Sequence, residues 1–101
     1  MNCSRTDNGE ETVLRIEGVL DAVTTPEIRP MIEALVKDKR MSITVELGHL
    51  RLIDSSGVGV IVSLFKRAKA YGGAVKVNGL KDQPLTIFRL LRLDRVFAIS
   101  A

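Results

Sequence analysis

The 101-residue chain has no tryptophan, three phenylalanines and one tyrosine, so its core must be built mainly from aliphatic side chains. Proteins that bind nucleic acid combine clustered basic residues with aromatics that stack on bases. Here Lys66, Arg67 and Lys69 lie on a helical stretch without such aromatics and read as a solvated helix face. The single cysteine, Cys3, excludes an internal disulfide and fits a reducing compartment. In a polar N-terminal stretch it reads as inert, because nothing nearby would depress a thiol pKa. The single histidine, His49, excludes metal sites made of several imidazoles. Long apolar runs are missing too. Val58 to Val62 is far too short to span a bilayer, and residues 1–20 carry charges where a signal peptide needs an apolar region. The expectation is a cytoplasmic protein with no membrane anchoring and no direct nucleic-acid partner.

What is present suits one domain, residues 1–101, with 46% hydrophobic residues around a single core. Fifteen Lys and Arg against twelve Asp and Glu leave a net charge of +3, a mildly basic balance. There is no repeat, linker or low-complexity segment.

Residues 1–11 are polar and suggest at most a short edge strand before a turn at Asp7-Asn8-Gly9. Val13, Leu14 and Ile16 read as a strand that ends at Gly18. Thr24-Thr25-Pro26-Glu27 resembles a helix start, with Thr24 as N-cap and Glu27 completing a capping box. That helix should run to about Asp38 on a stripe of Ile28, Ile32, Leu35 and Val36, with an irregular first turn because Pro30 removes a backbone bond. Ile43, Val45 and Leu47 alternate as a strand with one buried face. A second helix, Ser56 to Tyr71, should bury Val58, Ile61, Val62, Phe65 and Ala68 and stop at Gly72. Ala74 to Val77 reads as a strand, Asn78-Gly79 as a turn, and Asp82 as the N-cap of a last helix with a core stripe of Leu85, Phe88 and Leu91. Val96, Phe97 and Ile99 complete a short final strand. Strands alternating with helices predict an α/β fold: a mixed four- or five-stranded sheet with three main helices packed on it.

Function concentrates in Ile53-Asp54-Ser55-Ser56-Gly57-Val58-Gly59-Val60, where strand and loop give way to a helix. A helix N-terminus leaves four backbone N–H groups unpaired, and Ser55 reads as the N-cap that satisfies one of them. Gly57 and Gly59 each forgo about 1 kcal/mol of helix propensity relative to alanine. Close approach of another molecule's backbone, beside the positive end of the helix dipole, would explain them.

No enzyme assembles from these residues, and no cofactor is implied. Ser55 is not framed by the Gly-x-Ser-x-Gly elbow of a hydrolase, and no Walker lysine follows the glycines. Two other roles stay open: a phosphate-binding role for the glycines and a phosphohistidine carrier role for His49.

Gly18-Val19-Leu20-Asp21, Val45-Glu46-Leu47, Asp54-Ser55-Ser56-Gly57-Val58-Gly59 and Tyr71-Gly72-Gly73 together resemble the STAS domains, and specifically the small stand-alone bacterial anti-sigma factor antagonists. The most diagnostic element is Asp-Ser-Ser-Gly-x-Gly in this setting. The resemblance implies a protein that binds an anti-sigma factor kinase when unphosphorylated, freeing a sigma factor. It is inactivated when that kinase phosphorylates the serine after the aspartate, here Ser55. A serine phosphatase acting on phospho-Ser55 would reset it. Asp21 is implied on the same surface, and the partner-binding residues would be Asp21, Asp54, Ser55, Ser56, Gly57, Val58 and Gly59. The alternative is a STAS scaffold or regulatory subunit of a transporter or other multiprotein assembly. Two departures stand out: the basic balance, and Arg92 where relatives commonly carry glycine. The chain ends at Ala101, so the extra C-terminal helix of many relatives is expected to be absent or minimal.

Overall fold

The computed structural model describes residues 1–100. Strands β1 (Asn2–Asn8) and β2 (Glu11–Leu20) form an antiparallel hairpin with Asn8 opposite Glu11, so the loop is Gly9-Glu10. Gly9 takes φ 62, which a two-residue hairpin loop needs and which glycine adopts without penalty. The edge strand is therefore longer, and its turn later, than composition suggested. Cross-strand pairing uses the backbone, and within β1 only Cys3 and Arg5 are half-buried.

β2 buries Thr12, Leu14 and Ile16 in alternation. Its first half, Glu11–Arg15, pairs in parallel with β3 (Ser42–Glu46), and its last residues, Gly18–Leu20, pair in parallel with β4 (Leu50–Ile53). The register shifts between Gly18 and Val19, and Gly18 sits at φ 94. A glycine expected to end the strand instead bends it, as at a bulge. This bend delivers β2 to the side of β4. The remaining strands are β5 (Ala74–Asn78) and β6 (Ala98–Ser100), and the sheet order is β1-β2-β3-β5-β6 with β4 on β2 outside this path. The main path thus has five strands in a mixed sheet, as expected, with β4 added.

Three helices complete the fold: α1 (Thr25–Lys37), α2 (Ser55–Ala70) and α3 (Asp82–Leu90). α1 buries Ile28, Ile32 and Leu35. The capping box does not form: Thr24 has helical backbone angles and no side-chain cap bond. Its hydroxyl donates to the Val19 carbonyl at 2.8 Å and accepts from the Asp21 N–H at 2.9 Å. The entry is tight, with the Glu27 N–H on the Thr24 carbonyl at 2.9 Å, and Pro30 lies exposed within the helix.

α2 buries Gly57, Val58, Val60, Ile61, Leu64 and Ala68, whereas Val62 and Phe65 are half-buried. The expected stripe is therefore rotated. Gly57 belongs to the inward face, and residues 57, 60–61, 64 and 68 recur from it at helical spacing. The helix ends as expected at Gly72, φ 90, with the Gly73 N–H on the Ala68 carbonyl and the Gly72 N–H on the Lys69 carbonyl, the paired bonds of a Schellman motif.

Asp82 opens α3 at φ 53 rather than capping it, and Lys81 in the cap position makes no side-chain cap bond. Phe88 is buried and Leu85 half-buried, but Leu91 is exposed. Leu91 is the C-cap of α3, and Arg92 after it adopts the left-handed conformation, φ 57, so the chain leaves the helix axis there. After a 3-10 turn at Leu93–Arg95, Phe97 packs on Phe65 and Phe88 with ring centroids 5.1 and 6.0 Å apart. The final strand is β6, Ala98–Ser100, so Val96 and Phe97, expected within it, precede it.

At the end of the sheet where β2, β3 and β5 start, Arg40 acts as a staple. Its Nε donates to Thr12 Oγ1 at 2.7 Å, its Nη2 to the Gly9 and Glu11 carbonyls, and its own carbonyl accepts from Tyr71 OH at 2.6 Å. The opposite end, where β2 and β4 finish, carries the candidate site.

Candidate functional site

β2 and β4 run parallel and end side by side, Leu20 level with Ile53. The residues that follow each strand, Asp21 and Asp54, therefore emerge at one end of the sheet although 33 positions separate them. The backbone links the two exits: the Asp54 N–H donates to the Leu20 carbonyl at 3.2 Å, and the Ala22 N–H donates to Asp54 Oδ2 at 3.3 Å. Asp21 and Asp54 both line a cavity of about 290 Å³, together with Leu52 and Gln83 among others.

Asp54, and not Ser55, caps α2. Its backbone is extended, and its Oδ1 accepts from the Ser56 N–H at 2.9 Å and the Gly57 N–H at 3.1 Å. Aspartate caps as well as serine does, and its charge adds a favourable interaction with the helix dipole. Ser55 is thereby moved into the first helical position, where its side chain is exposed. Ser56 is half-buried.

Asp21 closes the turn between β2 and α1. Its Oδ1 accepts from the Thr24 N–H at 3.0 Å and the Val23 N–H at 2.9 Å, and lies 3.2 Å from the Thr24 hydroxyl oxygen, whose one proton is shared with the Val19 carbonyl at 2.8 Å. The Thr24 N–H first, and the Val23 N–H with it, hold the carboxyl below the ordinary carboxylate range, against partial desolvation. The turn leaves Val23 81% exposed, and Leu52 on β4 is 49% exposed. The site thus pairs two carboxylates with two bare aliphatic side chains.

The glycines separate into two kinds. A Cβ on Gly57 would lie 2.7 Å from Ile53 Cγ1 and 2.7 Å from the Leu20 carbonyl oxygen, so this glycine lets α2 seat against β2 and β4. Its expected role in admitting an outside backbone is corrected: the close approach is made by the chain itself. Val58, 7% exposed, also faces the core and offers little to a partner. Gly59 is exposed, and a Cβ there would meet nothing within 4 Å. Of the residues named from sequence, Asp21, Asp54, Ser55 and Gly59 reach the surface, whereas Gly57 and Val58 turn inward.

Sequence reasoning missed Val23, Leu52 and Gln83. Val23 was legible as an apolar residue beside a turn-forming aspartate. Gln83 carried no signal: its carboxamide oxygen accepts from the Ile53 N–H at 3.0 Å and its nitrogen donates to the Ile53 carbonyl at 2.9 Å, a contact across 30 positions. His49 is exposed on the β3–β4 connection and lines a different cavity, of about 370 Å³, with Arg51, Lys81 and Asp82. Among the described residues no three His, Cys, Asp or Glu are placed to hold a metal ion, and no helix is long and apolar enough to cross a membrane.

Comparison with known proteins gives the following. A family model described as "Mlab, STAS domain" matches residues 3–99. The Anti-sigma-B factor antagonist of Bacillus subtilis (strain 168) is 27% identical over 101 residues, which is 100% of this chain and 92% of that protein. The crystal structure of an anti-sigma factor antagonist from Mycobacterium paratuberculosis superposes with a TM-score of 0.88 at 20% identity, covering 97% of this chain and 83% of that one. The Bacillus cell fate determinant SpoIIAA in its phosphorylated form superposes with a TM-score of 0.79 at 20% identity, covering 99% and 92%.

Proposed function

The chain belongs to the STAS domain family, and from that premise we propose that it is an anti-sigma factor antagonist switched by phosphorylation of Ser55. Unphosphorylated, it binds an anti-sigma factor kinase through the end of the sheet formed by Asp21, Val23, Leu52, Asp54, Ser55 and Gly59, and a sigma factor is released. Phosphorylated by that kinase, it lets go, and a serine phosphatase restores it. These events place it in the cytoplasm, as a binding protein without chemistry of its own. The relatives' names and the phosphorylated form of SpoIIAA support this reading.

The observation that carries it is the exposed hydroxyl of Ser55 at the first position of α2, directly after the carboxylate that caps the helix. A phosphoryl group at a free helix N-terminus gains about 0.3–2 kcal/mol from the dipole. Here Asp54 already accepts the Ser56 and Gly57 N–H groups, so little of that gain is open to phosphate. A group of about −1.5 to −2 charges is set instead beside Asp54, with Asp21 at the same end of the sheet. In water this costs little and the fold persists. In a desolvated interface, like-charge contact costs roughly several kcal/mol, and each ~1.4 kcal/mol is tenfold in affinity. Exclusion alone therefore releases the partner.

The test is incubation with the cognate kinase and ATP, followed by intact-mass measurement and peptide mapping. Phosphate on Ser55 is the expected result. Phosphate on His49 with none on Ser55 would point to a carrier, and binding of a partner assembly with no modification at all would point to a constitutive scaffold.

A further inference from the structure

Among the described residues β4 has a strand neighbour, β2, on one edge only. On its other edge the last residue, Ile53, presents an N–H and a C=O where no strand follows. The Gln83 carboxamide closes both, accepting from the Ile53 N–H at 3.0 Å and donating to the Ile53 carbonyl at 2.9 Å, as one residue of a neighbouring strand would. Ile53 is buried and followed at once by Asp54 and Ser55. Gln83 is also the second residue of α3, in a start where Asp82 takes φ 53 and Pro84, buried, has no N–H to give. The side chain is half-buried and lines the cavity shared by Asp21 and Asp54.

From this we infer that Gln83 is a positioning residue of the switch: its two bonds fix the end of β4 and so set where Asp54 and Ser55 are presented to a partner. This rests on the reading of Ser55 as the modified residue. The two-bond geometry also gives the inference a chemical signature. A carboxamide has one acceptor and one donor end, and only a group with both can satisfy an N–H and a C=O together. Methionine of similar length offers neither. A glutamate carboxylate can accept from the Ile53 N–H but sets a lone pair against the Ile53 carbonyl, whereas a protonated glutamic acid restores both contacts. Asp21 and Asp54 face the same cavity, and Asp82 and Lys81 precede Gln83 on its own segment. The two carboxylates across the cavity would favour the protonated form of a glutamate placed there.

The experiment follows the Ile53 amide by nitrogen-15 NMR and hydrogen exchange in the full chain, with partner affinity measured by calorimetry. In Gln83→Met, Ile53 exchange should rise at least tenfold while amides of α1 and β3 keep their protection, and partner affinity should fall about tenfold. In Gln83→Glu, the Ile53 amide shift should show an additional titration with pH, approaching the wild-type position as the pH falls, beyond whatever response to the neighbouring aspartates wild type and Gln83→Met share. Unchanged Ile53 exchange in Gln83→Met, or no additional titration in Gln83→Glu, would overturn the two-bond clamp. A loosened Ile53 with partner affinity intact would overturn the positioning role. If instead Ser55→Ala and Ser55→Glu bind the partner equally, the reading of Ser55 fails, while the Ile53 measurements still decide the clamp.

Discussion

Asp54 and Ala22 are joined across 32 positions of sequence: the Ala22 N–H donates to one oxygen of the Asp54 carboxylate while the other oxygen caps α2. One side chain therefore fixes both the helix that bears Ser55 and the turn that bears Asp21 and Val23. Asp54→Ala should cost about 1 kcal/mol, within the range of about 0.5–2 for lost caps, with loss of order at Ala22 as well. Asp54→Asn keeps a single accepting oxygen and should fall between. Urea unfolding at constant m-value measures this. A stability equal to wild type in Asp54→Ala would show that Ser55 takes over the cap.

Ser55→Ala should fold normally and bind the partner constitutively, because its hydroxyl is not what holds α2. Ser55→Asp or Ser55→Glu should bind at least tenfold more weakly, about 1.4 kcal/mol or more. Calorimetry with the anti-sigma factor partner reads the difference directly, and equal affinities would remove Ser55 as the switch.

Gly57→Ala should destabilise the fold, since a Cβ there would sit 2.7 Å from both Ile53 Cγ1 and the Leu20 oxygen. Overpacking of this kind costs about 1–3 kcal/mol. Gly59→Ala meets open space and should stabilise the helix by up to about 1 kcal/mol, yet weaken the partner if the kinase backbone lies against it. Thermal melts beside binding isotherms separate the two, and a Gly57→Ala protein as stable as wild type would contradict the packing described here.

Asp21 makes a pH prediction of definite sign. Its folded carboxyl titrates below the ordinary value of 3.8, chiefly through the Thr24 N–H bond. The charged form is thus favoured by folding. The stability it contributes is fully present above the unfolded value and disappears as the pH falls through the lower, folded one. Carbon-13 titration of the Asp21 carboxyl should give a midpoint below 3.8, and Thr24→Ala, which keeps the backbone N–H at that position but removes the hydroxyl that reaches Asp21 Oδ1 and accepts from the Asp21 N–H, should raise it part of the way. A midpoint at or above the ordinary value would mean that the turn is open in solution.

Cys3 should be unreactive in the native state. Burial pushes its thiol up to about 11, so little thiolate exists at pH 8. Iodoacetamide should modify it far more slowly in buffer than in denaturing urea, and equal rates would show that β1 is not docked on β2.

The sequence carried the order of elements because most of it is written in local patterns. Ile43, Val45 and Leu47 alternate, and Gly72-Gly73 meets the demands of a Schellman end. The same locality explains the errors. Asp54 and Ser55 are both good N-caps in adjacent positions, and only the reach of Oδ1 to two N–H groups chooses between them. Gly57 enters no hydropathy pattern, so the phase of α2 was set by its apolar residues and came out rotated. The link between Gln83 and Ile53 is purely tertiary, and nothing near either residue announces it. Thr24 had the right type for a cap, but a neighbouring strand carbonyl at Val19 took its hydroxyl.

The outer edge of β1 closes one side of the sheet with seven residues whose backbone pairs only with β2. An open edge is a template on which other chains add strands and aggregate. In this chain the template is written Asn-Cys-Ser-Arg-Thr-Asp-Asn, with Arg5 and Asp7 paired to each other along it and not one aliphatic residue to reward a stacking neighbour. The same polar composition that hides this strand from a hydropathy pattern leaves its open edge little to offer a neighbouring sheet.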